Sequence, residues 1–155
     1  MIEELIVQHE IMAKLHKSSI NTLRIITYHK KPIGAVLRIG VGDSNIDNAS
    51  SGGIYAQVDL KEGIVVSCAL NYAGDKVIRH PDTGMIIPGF EIPMWSECLQ
   101  FVEECSDIIR GVPLVGWDIA IGPECPILVE VNERPDTFLV QSISKVGIRN
   151  SLNGE

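Results

Sequence analysis

The sequence predicts an α+β fold: an antiparallel sheet built from hairpins, with a few helices packed on one side. Three observations carry this. Short runs rich in β-branched and aliphatic residues occur in pairs joined by turn residues. One long segment carries clear helical periodicity. No internal repeat or low-complexity stretch breaks the pattern.

The first pair is 22–28 (TLRIITY) and 33–39 (IGAVLRI), with Lys30-Lys31-Pro32 as the turn. Residues 40–53, rich in Gly, Ser, Asn and Asp, read as a loop. The second pair, 54–60 and 64–70, flanks Lys61-Glu62-Gly63. Residues 71–93 hold many turn formers, including His80-Pro81-Asp82-Thr83-Gly84, and read as a long excursion. In 94–110, Trp95, Cys98, Leu99, Val102, Cys105 and Ile109 fall on one helical face, with Pro93 before and Gly111 after. Residues 114–121 and 127–131 form a third pair around a five-residue loop at 122–126. A second helix is expected over 137–146, ending at Gly147.

Composition narrows the function. The chain has 155 residues, enough for one domain or one large lobe, and is 45% hydrophobic, enough for a continuous core. Thirteen Lys and Arg against twenty Asp and Glu give a formal charge of −7, which argues against a general nucleic-acid binder. Cys68, Cys98, Cys105 and Cys125 make no CxxC pair, and reduced, mostly buried thiols in a cytoplasmic protein are expected. No apolar run reaches the roughly 20 residues of a membrane span, and MIEELIVQHE lacks a basic secretory start.

Alternation along the third hairpin puts Asp118 on the face opposite Val115, Trp117, Ile119 and Ile121. The five-residue loop sets Asp118 directly across from Glu130, at a Cβ separation of about 4.5–5.5 Å. Like charges so placed repel unless something neutralises them, and a divalent cation would do so. Asn132 adds a neutral oxygen, and an all-oxygen donor set favours Mg²⁺ or Mn²⁺ over zinc. The competing reading is an ordinary acidic, solvent-facing strand pair.

In the first hairpin, a three-residue turn sets Arg24 opposite Arg38. Two guanidinium groups facing one another call for an anion between them, and arginine makes forked contacts with phosphate or carboxylate. Arginines reaching apart into water are the alternative. A cationic pair beside an acidic pair suits a metal-bridged polyphosphate. No GxxxxGK[ST] loop is present. His80 could contact substrate or shuttle a proton, with a packed loop histidine as the simpler reading. Trp95, Trp117, Cys98 and Cys105 read as core. Arg134 could reach a substrate anion or pair with Asp136 or Glu133.

Taken in order, TLRI with a second Arg fourteen positions on, Asn48, Gly52-Gly53, Asp118 and Glu130-Val131-Asn132 resemble the C-terminal half of an ATP-grasp domain. The wider text (SINTLRI, DNASSGG, RHPDTG, WDIAIGPECPILVEVN) is most similar to the ATP-grasp proteins associated with sugar transfer and polysaccharide biosynthesis. The resemblance runs from about Glu3 to Val146. It implies that Glu3, Glu4 and Ile6 sit on the hinge strand beside adenine. Arg24 and Arg38 would contact phosphates or the acyl phosphate. Asn48, Gly52 and Gly53 would line the substrate side, and Asp118, Glu130 and Asn132 would bind metal. Several family members carry an Arg two residues before the metal-binding Asp, whereas Gly116 stands there in this chain.

The resemblance therefore implies the Mg-ATP-binding part of an ATP-dependent carboxylate–amine or related ligase, acting through an acyl phosphate on a small carboxylate. Residues 1–150 would be the metal- and phosphate-binding lobe and 151–155 a tail. The family's phosphate-binding lysines belong to an N-terminal lobe, expected to be supplied in cis or in trans. The alternative is a non-catalytic fragment or weak nucleotide- and metal-binding module, and half a clamp leaves self-association open. A third reading, an unrelated β-rich calcium module, gives the paired arginines no role.

Overall fold

A computed structural model describes residues 5–42, 52–109, 111–137 and 140–141. A short helix α1 (Glu10–Ala13) precedes strands β1 (Thr22–Tyr28), β2 (Lys31–Ile39), β3 (Ile54–Val58), β4 (Ala69–Leu70) and β5 (Lys76–Val77). Helix α2 (Trp95–Ile108) then leads to β6 (Leu114–Ile121) and β7 (Pro126–Asn132). The seven strands form one antiparallel sheet in the order β5-β4-β3-β2-β1-β6-β7, so β1 lies between its hairpin partner and a strand some ninety residues later. This is the α+β architecture expected from the hairpin pattern.

Alternation divides the sheet into two faces. Leu23, Ile25, Leu37, Ile39, Ile54, Ala56, Val115, Trp117, Ile119 and Ile121 point into the main core. Helix α2 covers that core with Trp95, Cys98 and Val102, close to the periodicity of its sequence. Trp95 reaches over Gly63 and donates its indole N–H to Leu60 O at 3.0 Å. Trp117 is fully buried and satisfies its indole N–H on Thr27 Oγ1 at 2.9 Å. On the opposite face, Ile26, Val36 and Val140 form a small second cluster.

Two hairpins depart from their expected turns. The first closes through two residues, His29 and Lys30, both at positive φ (45° and 71°), as a type I′ turn demands. Pro32 lies within β2, where β3 no longer pairs and its missing N–H is tolerated, and the register slips beside Ile26 and Thr27. The third hairpin has a four-residue loop, closed by Gly122 N–H on Cys125 O at 3.0 Å, with Ile121 paired to Pro126. The second pair is mostly irregular: β3 stops at Val58, Val58 bridges Val65, and β4 contributes two residues. Of the expected 137–146 helix, only Val140 and Gln141 are described as helical, and the remainder lies outside the described residues apart from Thr137. The thiols are less uniformly buried than expected. Cys98 is buried, Cys68 and Cys105 are partly exposed, and Cys125 is exposed. Among the described residues no helix is long and apolar enough to cross a membrane.

Gly63 sits at φ +69°, and a Cβ there would lie 2.3 Å from Trp95 Cγ. Gly63→Ala combines a left-handed backbone with a clash against a ring that cannot retreat. It should cost about 2–4 kcal/mol and lower the melting temperature by roughly 5–15 °C in a thermal scan. Burial, aided by the charge of Glu97, pushes the Cys98 thiol up to about 12 from 9.0. Above pH 9 the unfolded chain therefore releases a proton that the folded chain retains, so stability falls as pH rises through that window and is unaffected below it. Urea titrations at pH 7 and pH 10 should show a smaller alkaline loss in Cys98→Ala than in the parent.

Candidate functional site

The site is built by β1, β2, β6 and β7 on the face away from α2. Arg24 of β1 stands directly opposite Asp118 of β6. Asp118 in turn stands opposite Glu130 of β7, and Asn132 opposite Gly116. The Asp118–Glu130 pairing is the expected one, but it arises differently. The shorter loop shifts the register by one residue, and a bulge beside Asp118 and Ile119 shifts it back.

The arginine pair needs correction. Arg24 pairs with Val36 and Arg38 with Thr22, so the two are diagonal neighbours and not directly opposed. Two features combine to cause this: the two-residue turn moves the register from the one a three-residue turn would set, and the irregularity beside Ile26 and Thr27 shifts it back by one residue. Both side chains still converge, and their target is Asp118. Arg24 Nε donates to Asp118 Oδ1, and Arg24 Nη2 donates to Oδ2 at 2.7 Å. Arg38 Nη1 donates to the same Oδ2 at 2.9 Å. Asp118 is 3% exposed, and the arginine side chains are 12% and 9% exposed. The hydrogen bond to Asp118 is the main cause holding the Arg24 guanidinium above its ordinary pKa. Burial opposes it, and the charges of Asp118, Glu130 and Asp136 add to it.

The two expected subsites are therefore one cluster. A metal is not needed to relieve the Asp118–Glu130 repulsion, because two guanidinium groups already compensate the buried carboxylate. The donor set still fits a hard cation. Asp118, Glu130 and Asn132 bring oxygens to one sheet face, Glu130 is exposed, and Asn132 is partly exposed. Magnesium characteristically takes one or two carboxylates and completes its shell with water and phosphate. Any metal here would share Asp118 with the arginines.

The surroundings bound the cluster. Tyr55 of β3 lies opposite Arg38 on the same face and is buried, a neighbour readable from the alternation of IYAQV but absent from the expected set. Gly53 is buried and Gly52 exposed at φ +97°, both leading into β3 at the Arg38 end. At the other end, a Cβ on Gly116 would lie 2.6 Å from Pro135 Cβ, and one on Gly34 2.6 Å from Val140 Cγ1. These two glycines let the chain after β7 press onto the sheet.

His80 is buried at the far end of β2. Its Nε2 donates to Gly40 O at 2.7 Å, while Nδ1 accepts from the backbone N–H groups of Asp82 and Thr83. His16 repeats the arrangement, with Nε2 on Gly42 O at 2.8 Å and Nδ1 accepting from the Ser19 N–H. The two rings are 5.4 Å apart. Together they fasten residues 40–42 to the N-terminal segment and to the 80–83 turn. Sequence reasoning missed His16, which carries no motif. Ile6 is partly buried in an irregular segment that Gln8 and Asn21 tie down through hydrogen bonds to each other and to the carbonyls of Met12, His16 and Ser19. Glu3, Glu4 and Asn48 lie outside the described residues.

Removing the shared carboxylate leaves two largely buried cations without their common partner. Asp118→Ala should cost about 3–5 kcal/mol in urea denaturation at pH 7. Asp118→Asn, which keeps an acceptor oxygen, should cost clearly less.

The arrangement sets two arginines, chemically suited to an anion, on the same sheet face as the carboxylates of Asp118 and Glu130. No curated protein matches the chain. The family described as sugar-transfer associated ATP-grasp matches residues 1–154, essentially its full length. The antiparallel sheet is consistent with that match, and the chain belongs to the sugar-transfer associated ATP-grasp family.

Proposed function

We propose that this chain is the metal- and phosphate-binding lobe of an ATP-dependent carboxylate ligase that works through an acyl phosphate, in a pathway of polysaccharide assembly. The observation that carries the reading is the convergence of Arg24, Arg38, Asp118 and Glu130 on one sheet face in a chain of the ATP-grasp family.

Arg24 and Arg38 hold phosphate oxygens of ATP and neutralise the charge that develops as the phosphoryl group moves to the substrate carboxylate. Asp118, Glu130 and Asn132 would hold one or two Mg²⁺ or Mn²⁺ ions, whose positive charge would offset that of the phosphates. By the family resemblance, Glu3, Glu4 and Ile6 would serve adenine, and Asn48, Gly52 and Gly53 the carboxylate. His80 acts as a bracket, since both its nitrogens are engaged by backbone groups. The carboxylate attacks the terminal phosphorus and ADP leaves. An amine or similar nucleophile then attacks the acyl carbon and phosphate leaves. Arginines that orient these groups raise the rate by positioning them, and no covalent enzyme intermediate is required.

The remaining phosphate contacts and the cover over adenine belong to a second lobe, in cis or in trans. A site open on one side binds weakly and exposes an acyl phosphate to water. Calorimetry on the 155-residue chain should therefore give weak Mg-ATP binding, and an ATP-consumption assay little or no turnover. Micromolar affinity or sustained turnover would show that the chain completes the site alone or by self-association. In the two-lobed protein, Arg24→Ala and Arg38→Ala should each weaken nucleotide binding by about 1.5–3 kcal/mol. Unchanged binding in both would remove them from the phosphate site.

A further inference from the structure

We propose that Arg24, Arg38 and Asp118 form a self-masking cluster, which makes the metal and the polyphosphate enter together and holds off either one alone. The inference rests on the polyphosphate reading above and adds to it an account of how the resting site is guarded.

The masking is written into the sheet. Arg24 and Asp118 are register partners on adjacent strands, so their forked contact follows from the pairing of β1 with β6. Arg38 arrives diagonally from β2 and takes a third contact on the same carboxylate. The carboxylate is nearly inaccessible to solvent. With Glu130 opposite, the four side chains carry two positive and two negative charges and sum to zero.

A free divalent cation approaching Asp118 meets two guanidinium groups already seated on its oxygens. To bind, it must displace at least one of them and break a largely buried guanidinium's hydrogen-bonded contact with Asp118. A metal-free polyphosphate meets the converse obstacle. The arginines it needs are engaged, and releasing them strands Asp118 beside Glu130 and beside the arriving phosphates, all of one sign. The metal–polyphosphate complex escapes both penalties. Its phosphates accept the guanidinium groups while its metal accepts the released carboxylate. Every partner is exchanged for another of the same sign, so no buried charge is left uncompensated. The result is positive coupling between the two ligands, reciprocal by linkage.

The test is binding of single ligands to the 155-residue chain at low ionic strength, where these charges are least screened. Inorganic triphosphate with chelator serves as the metal-free anion, and Mn²⁺ alone, followed by water proton relaxation, serves as the cation. Asp118→Asn removes the mask from the arginines and should bind metal-free triphosphate about tenfold or more tighter than the parent. A plain loss of a metal ligand predicts no such gain. Arg24→Gln loosens the mask from the other side. It should bind Mn²⁺ alone about tenfold tighter and triphosphate no better. Circular dichroism checks that each variant is folded, and if Asp118→Asn is not, the Arg24→Gln measurement decides by itself. Absence of a gain in a folded variant overturns the proposal. A gain in triphosphate binding by Asp118→Asn, with no Mg-ATP binding by any form, supports the mask while rejecting the nucleotide reading. Mg-ATP binding by the parent with no gain in either variant rejects the mask alone.

Discussion

The carboxylate of Asp118 is the point on which the sheet's central register depends. A buried carboxylate is tolerated only with close counter-charges, and its partners come from two other strands. Arg24 enters some ninety residues before it and Arg38 eighty. A one-residue slip of β1 against β6 would carry Arg24 to the apolar side of the sheet and bring Leu23 or Ile25 beside Asp118. The ion cluster and the hydrophobic alternation therefore select the same pairing, each penalising the alternatives to the other.

The two faces of the sheet do different work. The face under α2 is continuous and apolar, from Ile54 through Leu37, Leu23 and Ile119. The other face is divided. One end is apolar, where Ile26, Val36 and Val140 meet, and the other carries the charges. The division has a steric basis in Gly34 and Gly116, whose lack of a side chain lets Val140 and Pro135 lie against the strands. The charged end is thus walled on one side by the chain that follows β7, and it receives β3 with Tyr55 on the other.

Much of this was legible in the sequence, for reasons that also mark its limits. Alternation identified β1, β2, β6 and β7 and sorted Asp118 from Trp117, because a period of two survives any error in register. The helical face from Trp95 to Val102 was readable because burial repeats with the helix turn. Register was less legible. The turn at His29 and Lys30 uses non-glycine residues at positive φ, so it lacked the Asn-Gly signature that would have announced a two-residue loop. Asp118 and Glu130 were matched through two cancelling departures, a shorter loop and a bulge. What alternation could not show was that the positive and negative pairs meet. That depends on the β1–β6 contact, which is long-range and unmarked by any local motif. The His16–His80 bracket was hidden for the same reason.

The bulge in the last hairpin has a second effect. Among the described residues β7 closes one side of the sheet, and a regular outer strand offers its backbone to any neighbouring chain. Here the inserted residue breaks the regular pairing of that border, Pro126 removes its first donor, and Glu130 adds a charge beside the exposed Leu128, Val129 and Val131. The irregularity that aligns Asp118 with Glu130 also interrupts the margin of the sheet, making it a less regular template for the addition of another strand.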